Sequence, residues 1–308
     1  MRLRNINFDG MRAAAASQIG ERRSVEWKTP RLTLGSLGAT LSAIREERGD
    51  TAMADGSVAG VVSLKGKISA EEWQARVDLA ALYRLVALYG WDDLIYTHIS
   101  ARVPGPEHHF LINPYGMLFE EITASSLVKI DLEGNILQET PYFINPAGFT
   151  IHSAIHHARE DARYVMHLHS DHGVAVAAQK DGLLPLSQHA LIVLPRLAYH
   201  DYEGIALNHD ERERLVADIG DKTLMLLRNH GTLAVGDTAA NCWVGMYYLE
   251  RACTMQVQAL SAGRQNVLDA PVASQAEVKN QVSRGIGGAL AWPGCLRKLD
   301  RELPGYDA

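Results

Sequence analysis

The sequence predicts an α/β protein: a three-layer α/β/α domain around a largely antiparallel, mixed sheet. Segments of helical period and of strand period alternate along the chain, which speaks against separate all-α and all-β domains. The first strands are joined by short Pro/Gly-containing turns rather than by helices, which argues against a regular βαβ repeat. The 308 residues are 47% hydrophobic and 21% charged, enough apolar material for a sizeable core.

Residues 1–67 carry 11 Lys/Arg against 7 Asp/Glu and only Phe8 and Trp27 among the aromatics. Without periodic apolar content to offset ordering entropy, this stretch reads as a disordered N-terminal extension, with a compositional boundary near Lys67. Ser69-Ala70-Glu71-Glu72 is a capping-box pattern. Behind it Trp73, Val77, Ala81, Leu85 and Leu88 recur at helical spacing until Gly90 stops the run. Leu94–Val103 and Phe110–Asn113 read as strands joined by Pro104-Gly105-Pro106, and Leu127–Leu132 turns through Glu133-Gly134-Asn135 into Ile136-Leu137, a hairpin. A short helix follows over Ala147–Ala158, then a β-rich Tyr164–His169. Ser170 can cap a helix running to Gln179. Thr223–Leu227 reads as a second buried strand, and Thr238–Ser261 has helical spacing at Met246, Leu249, Cys253, Val257 and Leu260. The domain is therefore expected over 68–262, with 263–308 as a tail packing on the core or on a neighbour.

The formal charge of −6 and pI near 6.1 give no basic surplus for nucleic acid or an anionic membrane surface. No apolar run exceeds five residues, against the roughly 20 of a membrane-spanning helix. The three cysteines are odd in number and widely spaced, which argues against a disulfide framework and makes a reducing cytoplasm the expected location.

Histidine usage is unusual: of 13 histidines, 10 fall between His152 and His230. His167-Leu168-His169 ends a predicted strand, where a period of two puts both imidazoles on one face, close enough to share an ion. His230, in Leu227-Arg228-Asn229-His230-Gly231, sits where another strand runs out into a glycine turn and is the third candidate. Three neutral imidazoles around an open position are an arrangement that catalytic Zn²⁺ uses, and imidazole also suits other divalent metals. The string His167-Leu168-His169-Ser170-Asp171-His172 is a literal His-x-His-x-Asp-His and resembles the metallo-β-lactamase signature. That reading needs further ligands well downstream, and no histidine follows His230.

Several blocks read together resemble the class II aldolase/adducin family. They are Tyr96-Thr97-His98-Ile99-Ser100-Ala101-Arg102-Val103-Pro104-Gly105, Phe110-Leu111-Ile112-Asn113-Pro114-Tyr115-Gly116, Asn145-Pro146-Ala147-Gly148-Phe149-Thr150-Ile151-His152, Val165-Met166-His167-Leu168-His169, Ala198-Tyr199-His200-Asp201-Tyr202-Glu203-Gly204 and Leu227-Arg228-Asn229-His230-Gly231. The resemblance implies an α/β/α fold, a homotetramer with sites between neighbouring subunits, and one divalent metal at His167, His169 and His230. Zinc is the first expectation, with Fe(II), Co or Mn as alternatives.

In the family's sugar-phosphate aldolases the metal stabilises an enediolate and a glutamate handles the proton. Here Gly148 stands at the position matching that glutamate. Pro146 and Ala147 match the serines that help hold phosphate, and Thr97-His98 matches the Gly-Asn pair of the earlier phosphate loop. These departures point away from a standard sugar-phosphate aldol reaction. The resulting expectation is a metal-dependent lyase-like enzyme (aldol cleavage, enolisation or decarboxylation) acting on a small 2-hydroxy or 2-oxo acid or a related chelating carbonyl compound. His98 and Tyr202 are the candidates for proton transfer. One alternative is a non-haem Fe(II) oxygenase acting on an aromatic keto acid. The other is a non-catalytic adducin-like, actin-associated scaffold, which the sequence fits poorly because it shows no lysine-rich tail and ends Pro304-Gly305-Tyr306-Asp307-Ala308.

Overall fold

The computed structural model describes residues 61–204, 211–282 and 287–308. The extension expected over 1–67 thus lies almost wholly outside the described residues, as does His209. Helix α1 (Ala70–Leu88) begins at Ser69, whose Oγ accepts the Glu72 amide at 3.1 Å and satisfies one of the free donors of the first turn. The Glu72 carboxylate is committed elsewhere. It takes Arg76 at 2.9 Å and Lys129 at 2.8 Å, neutralising an arginine whose side chain is 1% exposed. A buried guanidinium left without a counter-charge costs several kcal/mol, more than a second cap contributes.

Seven strands form one sheet: β1 (His98–Arg102), β2 (Phe110–Ile112), β3 (Val128–Ile130), β4 (Tyr164–Leu168), β5 (Leu197–His200), β6 (Leu224–Leu227) and β7 (Gly231–Gly236). Their order is β3-β2-β1-β4-β7-β6-β5, and every neighbouring pair is antiparallel except β5 with β6. The α/β fold with a largely antiparallel mixed sheet is therefore as the sequence predicts. The strand expected from Leu94 starts only at His98, because Leu94 and Thr97 adopt φ of 53° and 67°, outside the extended region. The hairpin expected after Leu127 reduces to a single bridge between Ile130 and Ile136.

The remaining helices are α2 (Pro146–Ala158), α3 (Asp171–Ala177), α4 (Gln188–Val193), α5 (Glu211–Ile219), α6 (Ala239–Leu260), α7 (Val272–Gln281) and α8 (Trp292–Glu302). Alternation along β4 divides the layers. Met166 and Leu168 face a core shared with Leu79 and Leu82 of α1 and Met246 and Leu249 of α6. Val165 faces the other way, into a core with Ile151 and Ile155 of α2 and Leu215 and Ile219 of α5. Helix α8 packs on α1 and buries Leu299. No helix among the described residues is long and apolar enough to cross a membrane.

Candidate metal centre

His167 is the fourth residue of β4, and His169 follows the strand just before Ser170 caps α3 by accepting the Gly173 amide at 3.1 Å. His230 comes from the turn between β6 and β7, where Asn229 takes φ 55° and the His230 amide donates to the Leu227 carbonyl at 3.0 Å. Strand ends and turn bring the three rings together. Their centroids lie 4.8, 4.8 and 4.9 Å apart, and one nitrogen from each lies within 4.8 Å of the others.

The outer nitrogens of two rings are already occupied. His167 Nδ1–H donates to the Thr232 carbonyl at 3.0 Å, and His169 Nδ1–H donates to Asp93 Oδ2 at 3.0 Å. With Nδ1 protonated, a neutral ring carries its lone pair on Nε2, and these two Nε2 atoms face each other at 3.1 Å. Two lone pairs at that distance repel unless a proton or a metal ion lies between them. A tetrahedral ion with bonds of about 2.0–2.1 Å separates its donors by about 3.3 Å, so the spacing suits one. Burial, followed by the charge the neighbouring rings would carry, pushes His167 well below the usual imidazole range and His230 down to about 4. Neutral imidazoles with fixed tautomers are the form in which histidine binds metal, and the donor set fits a divalent ion.

His98 pairs across the sheet with His167. Its ring is buried, both nitrogens lack a hydrogen-bond partner, and burial pushes its pKa down to about 3. The ring lies against Gly148. A Cβ built there would fall 1.9 Å from His98 Cδ2 and 2.3 Å from Nε2, so the imidazole fills the space a side chain at 148 would need. Thr97, also buried, keeps Oγ1 unpartnered.

Beneath His98 lies a chain of buried polar groups that the sequence did not disclose. The Ala162 carbonyl can only accept, so His156 Nδ1, at 2.9 Å, is the donor. Burial keeps His156 neutral, with its pKa pushed down to about 3, so Nε2 accepts the Ser100 hydroxyl at 2.7 Å. Ser100 Oγ then accepts from His152 Nδ1 at 2.6 Å. His152 is left with a buried, unpartnered lone pair on Nε2, in a ring whose centroid is 5.8 Å from that of His98. The helix-face pair His152 and His156 thus belongs to packing and polar support rather than to the three-histidine group.

Tyr202 is 54% exposed, with its ring centroid 6.3 Å from that of His230, and it lines an open cavity of about 550 Å³ whose wall includes Asn229, the chain neighbour of His230, but none of the three histidines. Asp171 and His172 turn away with α3, where His172 Nδ1 meets Thr254 Oγ1 at 3.3 Å. The His-x-His-x-Asp-His string therefore does not converge as a unit. Among the described residues, His167, His169 and His230 form the one cluster of three or more suitable side chains able to share an ion. Asp93, joined to His169 across 76 positions, had no sequence signal.

The family model described as Class II Aldolase and Adducin N-terminal domain matches residues 77–257. A Caulobacter vibrioides protein named "Putative aldolase class 2 protein" is 75% identical over 256 residues, covering 82% of this chain and 99% of its own length. Rat alpha-adducin is 44% identical over 217 residues, which are 68% of this chain but 29% of the adducin. The crystal structure of an aldolase II superfamily protein from Pseudomonas syringae superposes with a TM-score of 0.77 at 51% identity, covering 80% of this chain and 100% of that one. L-fuculose 1-phosphate aldolase from Glaciozyma antarctica shares the fold, with a TM-score of 0.67 at 24% identity over 80% of this chain and 97% of that chain. The polypeptide with this histidine centre is a member of the class II aldolase/adducin family.

Proposed function

We propose that the protein is a mononuclear-metal lyase acting on a small 2-hydroxy or 2-oxo acid, or a related chelating carbonyl compound, by carbon–carbon cleavage, enolisation or decarboxylation. The observation that carries this reading is the pair of imidazoles, His167 and His169, with outer nitrogens tied to Thr232 and Asp93 and inner nitrogens 3.1 Å apart beside His230. A bound divalent ion, zinc foremost, would act as a Lewis acid on two substrate oxygens.

His167, His169 and His230 would hold the ion. His98, which pairs with His167 across the sheet and lies against Gly148, would take the proton that the family's glutamate handles elsewhere. Gly148 supports that role by leaving room for the ring, and the α2 helix over it screens the ring from water. Tyr202, at the rim, offers a hydroxyl to the far side of a bound substrate. With Thr97-His98 at one phosphate-loop position and Pro146-Ala147 at the other, a sugar phosphate is disfavoured as substrate. The reading includes a cytoplasmic homotetramer, by analogy with the family.

Metal analysis of protein purified with and without oxygen tests the proposal. One equivalent of divalent metal per chain, lost in His167→Ala with the fold intact, is the expected result. Metal-free wild-type protein would overturn it, and iron with oxygen uptake on an aromatic keto acid would replace it by the oxygenase.

A further inference from the structure

Beside the histidines, the described residues hold two cations that the metal centre does not use. Arg228 and Lys180 line the same cavity as Tyr202, Asn229 and Asp201. Arg228 and His230 leave a single tight turn, so their Cα atoms are separated by at most roughly 7 Å of chain. The turn is pinned at both ends: the Arg228 amide donates to the His200 carbonyl at 2.8 Å, and the His230 amide donates to the Leu227 carbonyl at 3.0 Å.

The Arg228 side chain is oriented before any ligand arrives. Its guanidinium lies 4.4 Å from the centre of the Tyr199 ring, and Nη1 donates to the Gln179 carbonyl at 2.8 Å. Stacking fixes the plane of the fork and the carbonyl fixes its rotation. One donated hydrogen bond leaves most of the five N–H groups uncommitted. Among the described residues neither Arg228 nor Lys180 forms an ion pair. Asp201 is the one carboxylate on the wall, so the lining keeps a net positive charge.

We propose that this cavity is an anion subsite, in which Arg228 and Lys180 receive the distal carboxylate of a 2-hydroxy or 2-oxo diacid whose other end chelates at the three histidines. The inference rests on the metal-centred reading above and narrows its substrate class to acids that carry a second carboxylate. A planar, pre-oriented guanidinium suits a carboxylate through two parallel hydrogen bonds. A monoacid chelated at the histidines would leave both cations unused. Tyr202 links the cavity to the centre: it lines the wall, and its ring centroid is 6.3 Å from that of His230.

Calorimetric titration of metal-loaded protein tests this with two probes that share a 2-oxo acid head: pyruvate, which has no tail, and 2-oxoglutarate, which has a carboxylate tail. 2-Oxoglutarate is expected to bind tenfold or more tighter than pyruvate. Arg228→Gln should erase that advantage while leaving pyruvate affinity and metal content unchanged, and Asp201→Asn should tighten the tailed probe. Equal binding of the two probes, no binding of 2-oxoglutarate, or an equal loss for both probes in Arg228→Gln would overturn the subsite. Metal analysis of the same samples separates this outcome from failure of the metal centre, which would appear as missing metal.

Discussion

His98 and Gly148 are a matched pair: the imidazole of one fills the volume in which a side chain on the other would stand. Adding a methyl at 148 places it 1.9 Å from the ring. Alanine in place of glycine gains up to about 1 kcal/mol of helix propensity, whereas overpacking a buried site costs about 1–3 kcal/mol or more. Sterics win, and Gly148→Ala is expected to lower stability by about 2 kcal/mol in urea denaturation. Gly148→Glu should lose more. Combining it with His98→Asn, which restores the residue types that the resemblance places at both positions, should recover part of that loss. Additive losses in a double-mutant cycle would show that the two positions do not interact.

Thr97 holds φ at 67° with its hydroxyl buried and unpartnered. A β-branched residue in the left-handed region costs about 1–2 kcal/mol, and glycine escapes that cost while adding about 0.5–1 kcal/mol of unfolded-state entropy. Removing an unsatisfied buried hydroxyl favours the variant further. Thr97→Gly is expected to raise stability by about 1 kcal/mol and to loosen His98. A drop in melting temperature would show that the methyl and hydroxyl pack better than their missing partners suggest.

The pairing of His98 with Gly148 has no local signature in the sequence. The three histidines were legible because a strand-end His-x-His and a His-Gly turn are local patterns with a fixed geometric consequence. The coupling of His98 to Gly148 spans 50 positions, and that of His169 to Asp93 spans 76, with no periodicity to announce either. Strands β5 and β7 escaped for a different reason. Leu197–His200 is four residues long, too short to show alternation, and Gly231–Gly236 is buried along its whole length and so has no polar face. Glu72 reads as half of a capping box, but its charge is claimed by Arg76 and Lys129, and only the fold brings Lys129 to it.

Asp93 should matter to metal affinity although it touches no shared nitrogen. Its carboxylate accepts the His169 Nδ1–H at 3.0 Å, fixing the tautomer and making the inner nitrogen a better donor. Asp93→Asn keeps the shape and removes the charge. Chelator competition is expected to show a 10- to 100-fold weaker metal affinity, the range typical for such supporting groups. Unchanged affinity would mean that solvent around this half-exposed carboxylate already screens it.

The buried histidines of α2 make stability depend on pH in one direction. His156 is neutral in the fold, with its pKa pushed down to about 3, first by burial and then by the nearby Arg102 guanidinium, while the unfolded chain takes the proton near 6.5. Above pH 6.5 both states are neutral and the group contributes nothing to the pH dependence. Below it the unfolded chain binds a proton that the fold refuses, so stability falls by about 1.4 kcal/mol per pH unit until the pH nears 3. Between pH 6.5 and 5 that amounts to about 2 kcal/mol from His156, and His152, shifted the same way by burial, adds to it. His156→Gln keeps a polar group at the Ser100 end and cannot titrate. Urea midpoints at pH 7 and pH 5 should therefore differ less in the variant than in the wild type, by about 2 kcal/mol after conversion. Parallel pH profiles would mean that His156 takes up its proton inside the fold; it would then donate to the Ser100 hydroxyl, which would in turn donate to His152 Nδ1.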